Sequence, residues 1–470
     1  SLSGLFPVMT IKIGLLAGEP SGDNLAAGLM DALREQLSAG EKIEFVGVGG
    51  PAMMARGLRS LAAFDSLAVN GFKEPLLRLP QLWRMYRQLA QTFKDEAIDA
   101  FVGIDFNVFN FLLEKRLRRS GIVTAHYVSP SVYAWRKGRT KKVAQCADLL
   151  FCLYPFEPKF YAGLPLRAVF VGHPLAQAIE LDAGSATARR QCRARLQIDQ
   201  EELVIAVLPG SRSSEVALML EPFLAAVRLL CQLCPQRRIS AVIPCVNAAR
   251  RSQIEALLPP FADLSVHLVD NDARSALVAA DVAMIKSGTS TLEAMLLGRP
   301  MVVSYKLGAL SYRIASRLVN TPYIALPNIL AGEELVPELI QDAATPEALA
   351  QALLPQLNEQ NGLKTQRRRV CRNASAIARR RLGAGSQCYS CFGDFQAANA
   401  AQTLNYSTNE TGVCAKLGAG FVRKSGGVLP QRQQILEPID VSPYGVLAGV
   451  DEVGIGPVSY THLTLPTMLM

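Results

Sequence analysis

No run of about 18 uninterrupted apolar residues occurs in this chain, so nothing in it reads as a membrane span. The eight residues before Met9 lack the basic region and apolar stretch of a signal peptide, and Met9 reads as the natural start. Histidine is scarce, four in 470 residues, and no H-x-x-x-H pair or carboxylate cluster marks a metal site; none is expected. The ten cysteines are scattered. Two C-x-x-C pairs, Cys231/Cys234 and Cys388/Cys391, have no partner pair at zinc-site spacing, which leaves reduced thiols. A phosphate signature is also missing where one would look first. "GLLAGEPSGDNLAAGLMDAL" (14–33) runs from an apolar strand through a glycine turn into a helix, yet it carries neither G-x-G-x-x-G nor G-K-[ST]. Glu19 and Asp23 stand where phosphate would lie.

What is present is ordinary globular composition, 50% hydrophobic and 19% charged, in a chain long enough for two or three domains. A net charge of +9 suits an anionic partner: nucleic acid, an acidic membrane face or a phosphorylated substrate. From Met9 the chain alternates apolar runs ("TIKIGLLAG", "IEFVGVGG", "IDAFVGID", "IVTAHYVSP", "ADLLFCLYPF") with helix-period segments. The scheme starts again at "ELVIAVLPG" and continues through "RISAVIPCV", "LSVHLVD", "DVAMIKSG" and "PMVVSY". Strands separated by helices imply crossovers and parallel sheets, hence an α/β chain of two doubly wound, Rossmann-like domains, 9–172 and 173–382, facing a cleft. Ligands of such sheets gather at the carboxyl ends of the strands. Residues 383–470 show neither period and read as linker or as non-native, irregular tail.

The second domain holds the phosphate chemistry that the first lacks. "VLPGSR" leaves Ser211 and Arg212 at the mouth of a sheet, with the guanidinium placed for forked contact to diphosphate oxygens. In "KSGTSTLEAMLLG" a strand gives way to a helix opened by Ser287, Gly288 and Thr289, whose unpaired N–H groups would face an anion, and Glu293 could accept from ribose hydroxyls. The other reading is that Ser287, Thr289 and Ser290 cap the helix.

Five ordered stretches carry a resemblance: "AGEPSGDNLAAGL", "HYVSPSVYAWR", "VLPGSRSSEV", "SGTSTLEAML" with "PMVVSYK", and "LPNILAGEELVPELIQ". From Met9 to about Ala378 the chain is similar to lipid A disaccharide synthases, inverting glycosyltransferases of GT-B fold. The resemblance implies transfer from UDP-2,3-diacylglucosamine onto 2,3-diacylglucosamine 1-phosphate, with release of UDP and formation of a β-1,6 disaccharide. It implies no cofactor and no nucleic-acid partner, allows a homodimer, and places the enzyme in the cytoplasm, peripheral on the cytoplasmic face of the inner membrane. The first domain would then handle the acceptor sugar. That accounts for an acidic first loop, in which Glu19 assists catalysis while Ser21 and Asp23 meet sugar hydroxyls; Asp23 could instead cap its helix. The same resemblance makes Asn328 a substrate-binding residue.

Attack by the acceptor's 6-hydroxyl needs a base within hydrogen-bond reach. "FVGID" ends an apolar strand at Asp105, a cleft-edge position, and the family's corresponding motif reads G-I-D-A-P-D-F-N with its first aspartate as the proposed base. Here the motif is "GIDFNVFN": Asp105 is kept, while Val108 stands where the second aspartate would be. Asp105 is thus the base candidate, with Glu19 and His126 as helpers, or else a cap of the following helix. His173, in "VGHP", begins the interdomain connection and is expected near the diphosphate; His267, in an apolar run, is structural.

Leu76, Leu77, Leu79 and Trp83 lie in an amphipathic, basic stretch suited to a membrane interface, with an ordinary docking helix as the alternative. "GVLAGVDEVGIGPV" (445–458) resembles the first strand of type II ribonuclease H, whose metal-binding acids would map to Asp451 and Glu452; with so little chain after it, it reads as a truncated read-through or frameshift fragment. Two rivals remain: another UDP-sugar GT-B enzyme, either a UDP-N-acetylglucosamine 2-epimerase or a lipid-carrier glycosyltransferase, and a nucleic-acid-binding protein. The second requires a basic stripe with interleaved aromatics, whereas the charges here are dispersed over helices.

Overall fold

The computed structural model describes residues 9–38, 40–64, 74–105, 107–130, 138–180, 182–308, 312–313 and 322–357. The expectations for 383–470, Cys388, Cys391, Asp451 and Glu452 included, lie outside the described residues. The first half contains strands β1 (Met9–Ala17), β2 (Glu41–Val48), β3 (Leu58–Ser60), β4 (Ala100–Ile104), β5 (Val123–Tyr127), β6 (Leu149–Cys152) and β7 (Arg167–Phe170). Between them run helices α1 (Pro20–Arg34), α2 (Pro51–Met54), α3 (Glu74–Asp95), α4 (Asn107–Arg118) and α5 (Arg139–Ala144). The strands form one parallel sheet in the order β3-β2-β1-β4-β5-β6-β7.

Helices α6 (Pro174–Ala178) and α7 (Ala186–Arg195) lead into the second half. Its strands are β8 (Leu203–Leu208), β9 (Ile239–Cys245), β10 (Ser265–Asp270), β11 (Val282–Lys286), β12 (Met301–Tyr305) and β13 (Glu338–Ile340). Its helices are α8 (Ser213–Leu233), α9 (Ala248–Leu257), α10 (Ala273–Ala279), α11 (Thr289–Leu296), α12 (Leu326–Ala331) and α13 (Pro346–Leu357). This sheet is also parallel, in the order β10-β9-β8-β11-β12-β13. The doubly wound α/β reading therefore holds, and every strand expected from an apolar run is present. Unforeseen were β3, β7 and β13, three or four residues long, too short to carry a period.

Both faces of each sheet are buried, which is why the strands read as continuous apolar runs rather than as alternation. Along β1, Ile13, Leu15 and Ala17 pack with Ala26, Leu29, Met30 and Leu33 of α1, while Leu16 turns to the opposite core with Phe93 of α3 and Leu113 of α4. Along β8, Val204, Ala206 and Leu208 face one core and Ile205 and Val207 the other, against Met219, Leu220 and Phe223 of α8. By length and composition α8 could cross a membrane, but its apolar face is buried in this core while Leu218 and Leu233 are exposed, the pattern of an amphipathic core helix. The halves meet where Phe156, after β6, packs on Ile329 of α12 beside Tyr154, Tyr323 and Leu330. Ala176 and Ile179 of α6 and its end already belong to the second sheet's core.

Candidate active site

In the second sheet the strand order reverses between β8 and β11. The helices that follow them leave on opposite faces, α8 into one core and α11 into the other, and a crevice opens between the strand ends. A cavity of about 310 Å³ occupies that crevice, lined by the turn Pro209–Arg212 and by Lys286, Ser287, Gly288 and Thr289. Of the residues expected here, Ser211, Arg212, Ser287, Gly288 and Thr289 are brought together.

The electrostatics are organised by a residue that the sequence reading missed. Glu215, in the first turn of α8, accepts from the backbone N–H groups of Ser211 (3.0 Å) and Arg212 (3.2 Å) through Oε2, and its Oε1 pairs with Lys286 Nζ at 2.9 Å. Gly210 makes room for this, since at φ +119 a Cβ would run into the Glu215 carboxylate. Burial would raise the Glu215 carboxyl, but Lys286, the Arg212 amide and the Arg212 charge outweigh it and hold it below its usual range. Lys286 is itself pushed down by burial, partly offset by Glu215, and its ammonium lies 4.8 Å from the centre of the Tyr305 ring. The Ser211 and Arg212 amides of the turn thus serve the fold.

Gly288 opens α11 in extended backbone, and no side chain caps the helix. This departs from the capping alternative. Ser287 does not cap; its hydroxyl, 3% exposed, donates to the Ile324 carbonyl at 2.9 Å. Glu293 does not line the cavity and pairs with Arg274 at 3.0 Å. Asn328 is not presented to a ligand at all. Fully buried, it donates to the Val336 carbonyl (2.8 Å) and to Glu338 (2.7 Å) and accepts from the Leu335 and Val336 amides (2.7 and 2.8 Å). Its hydrogen-bonding capacity is consumed in holding the loop after α12 to β13.

The first sheet reverses between β1 and β4; Glu19 takes the N-cap position of α1, two residues past β1, and Asp105 lies just past β4. Asp105 adopts the left-handed conformation, φ +50, and Val128, just past β5, lies at φ +85, unusual for a β-branched residue. Neighbouring strand ends are tied across: the Asp105 N–H donates to the Tyr127 carbonyl at 2.9 Å and the Val128 N–H to the Phe151 carbonyl at 3.0 Å. Strain of this kind gathers at functional sites.

Ser21 is exposed on the first turn of α1. Asp23 is not: it is 4% exposed and accepts from the amides of Gly50 (2.8 Å), Ala52 (2.9 Å) and Met53 (3.1 Å). Its carboxylate caps α2 rather than its own helix, so the expected contact to sugar hydroxyls is replaced by a structural role. His126 is wholly buried on β5, its Nδ1 2.7 Å from Glu114 Oε1 of α4, and burial pushes the Glu114 carboxyl up against the pull of the histidine. Wholly enclosed, the ring has no exposed edge to offer a ligand, which departs from the expectation of a direct helper. His173 is likewise enclosed. Its Nδ1 accepts from the Leu175 amide at 3.1 Å, capping α6, and burial pushes it down to about 4. His267 lies within β10, as its apolar run suggests.

Comparison with known proteins decides among the UDP-sugar readings that two such sheets leave open. Residues 13–387 match the family described as lipid-A-disaccharide synthetase. The chain belongs to that family. Lipid-A-disaccharide synthase of Pseudomonas paraeruginosa is 48% identical over 351 residues, 74% of this chain and 90% of that protein. The enzyme of Azotobacter vinelandii is 48% identical over 349 residues, with the same coverage. Among solved structures, UDP-GlcNAc 2-epimerase of Neisseria meningitidis, bound to UDP-GlcNAc, superposes with a TM-score of 0.52 over 82% of this chain and 99% of its own, at 12% identity; that likeness shows the GT-B fold alone. The synthetase match takes in both sheets and ends before 445–458, for which the ribonuclease H resemblance finds no support.

Among the described residues no three His, Cys, Asp or Glu side chains come together as a metal site would need, and Cys231 and Cys234 are free thiols. Lys286 and Glu215 were legible in principle: a lysine closing β11 faces the turn after β8 once the strand order is known.

Proposed function

We propose that this synthetase-family chain condenses UDP-2,3-diacylglucosamine with 2,3-diacylglucosamine 1-phosphate, the first half (9–172) holding the acceptor and the second (173–382) the donor. The observation that carries the reading is 48% identity to lipid-A-disaccharide synthases across both sheets. In this scheme the acceptor's 6-oxygen attacks the donor's anomeric carbon from the face opposite UDP and Asp105 takes the hydroxyl proton. The C1–O bond to the diphosphate breaks, and the configuration inverts to β. Arg212, Lys286 and the N-terminal field of α11 meet the charge that grows on the leaving diphosphate, with Ser211, Gly288 and Thr289 as the polar lining. Glu19 orients the acceptor beside Asp105.

Membrane association at the cytoplasmic face belongs to the same proposal. Trp83 is 51% exposed, stacks on Tyr86 at 5.0 Å and lies under Arg87, while Arg116 covers Tyr86. Beside them α3 and α4 form a basic hollow with Lys94, Lys115 and Arg119. An exposed indole under Arg87, beside a basic hollow, suits anionic headgroups. The side chains of Leu76, Leu77 and Leu79 lie outside the described residues. Incubation with both acylated sugars should yield disaccharide 1-phosphate and UDP in equal amounts. UDP-sugar turnover that needs no acceptor would overturn the reading in favour of an epimerase.

A further inference from the structure

We propose that Asn110 is a positioning residue that fixes the Asp105 carboxylate by clamping together the ends of β1 and β4. The inference rests on Asp105 being the acceptor-side base. Asn110 is fully buried in α4, and its Nδ2 lies 2.9 Å from the Asp105 carbonyl and 3.3 Å from each of the Leu16 and Ile104 carbonyls. Leu16 is in β1 and Ile104 ends β4, so this one amide group spans the junction where the strand order reverses. Asp105 is held at both backbone polar groups, its N–H by Tyr127 and its C=O by Asn110, in a conformation that an aspartate visits but does not favour.

Two further observations separate this from ordinary packing. A Cβ at Gly103 would run into Glu114 Oε1 and lie 2.8 Å from Asn110 Cβ and 2.9 Å from its Cγ, so the strand passes this close beneath the asparagine only as glycine. Asn110 Oδ1 is buried without a hydrogen-bond partner, an unfavourable arrangement that an apolar side chain would avoid. The donor end accounts for the asparagine: two hydrogens answer three carbonyl oxygens that would otherwise repel one another beneath the acceptor site.

The test is a double-mutant cycle on the full chain. Asn110→Ala should lower kcat 10- to 100-fold with the donor KM within about twofold. In an Asp105→Asn background the same substitution should cost less than threefold, since the carboxylate it places is gone. The fall in Tm should be equal in both backgrounds, because the hydrogen bonds lost are the same. Should the alanine variant not fold, Asn110→Leu fills the space without a donor and is run through the same cycle. Equal fold-losses in the two backgrounds would overturn the proposal and leave Asn110 a structural residue. Near-normal turnover of Asp105→Asn alone would instead remove the base assignment, a separate result.

Discussion

Asp23 and Glu215 do the same work in the two halves: each carboxylate lies in the first turn of a helix and is committed to backbone amides just past a strand end. In the second half the Arg212 guanidinium is proposed to meet the diphosphate. Arg212→Ala should therefore reduce kcat/KM at least tenfold, about 1.4 kcal/mol or more, in the coupled UDP-release assay, with activity surviving EDTA. Unchanged kinetics would remove Arg212 from the site. In the first half, Asp105→Asn keeps the shape and should reduce kcat by about 10²–10⁴ with UDP affinity unchanged. If turnover persists there while Glu19→Gln abolishes it, the base has been misassigned.

At the scale of the element, α3 combines two helices that the sequence presents as alternatives. Leu89, Ala90 and Phe93 of its second half are buried in the core, and Trp83 before them is half exposed among arginines. The halves should respond differently to mutation. Replacing Leu76, Leu77, Leu79 and Trp83 by serine or glutamine should move the protein from the membrane to the soluble fraction with its Tm intact, each side chain contributing roughly 1.5–3 kcal/mol of transfer if fully buried in lipid. Phe93→Ala should instead lower stability by about 3–5 kcal/mol and leave vesicle binding of the folded fraction unchanged. Unfolding of the first variant would return the whole helix to the core.

For the whole molecule, two enclosed titratable groups beside the contact between the halves set opposite pH limits. His173, pushed down by burial to about 4, stays neutral in the fold while the unfolded chain protonates near 6.5. The folded state then binds fewer protons, so the stability it retains above 6.5 is lost as pH falls toward 4, roughly 3 kcal/mol in all. Glu157, buried and accepting from the Tyr154 amide at 2.9 Å, is pushed up to about 8 by burial. Here the folded state binds more protons, and stability declines as pH rises from 4.5 through 8. Thermal melts between pH 4.5 and 9 should show His173→Asn flattening the acid limb and Glu157→Gln the alkaline one. Limbs unchanged in both variants would place the pH dependence elsewhere.

The alternation of apolar runs with helix-period segments determined the fold class, because a strand buried on both faces leaves a short continuous apolar run and a helix buried on one face leaves a 3.6-residue period in any tertiary setting. The turn "VLPGSR" and the helix start "SGTST" were legible as a strand end and a helix start, because both are local features. Side-chain partners are not local. Whether Asp23 meets a sugar or the amides of α2 depends on a helix some thirty residues away, and whether His126 reaches a substrate depends on Glu114 of α4. Asn328 illustrates the limit, since its bonds run to residues 335–338 and nothing in "LPNILAGEELVPEL" says that the amide faces inward. Strand order, which sets the end of β1 beside the end of β4 and Lys286 beside Glu215, follows from crossovers that only the packed sheets decide.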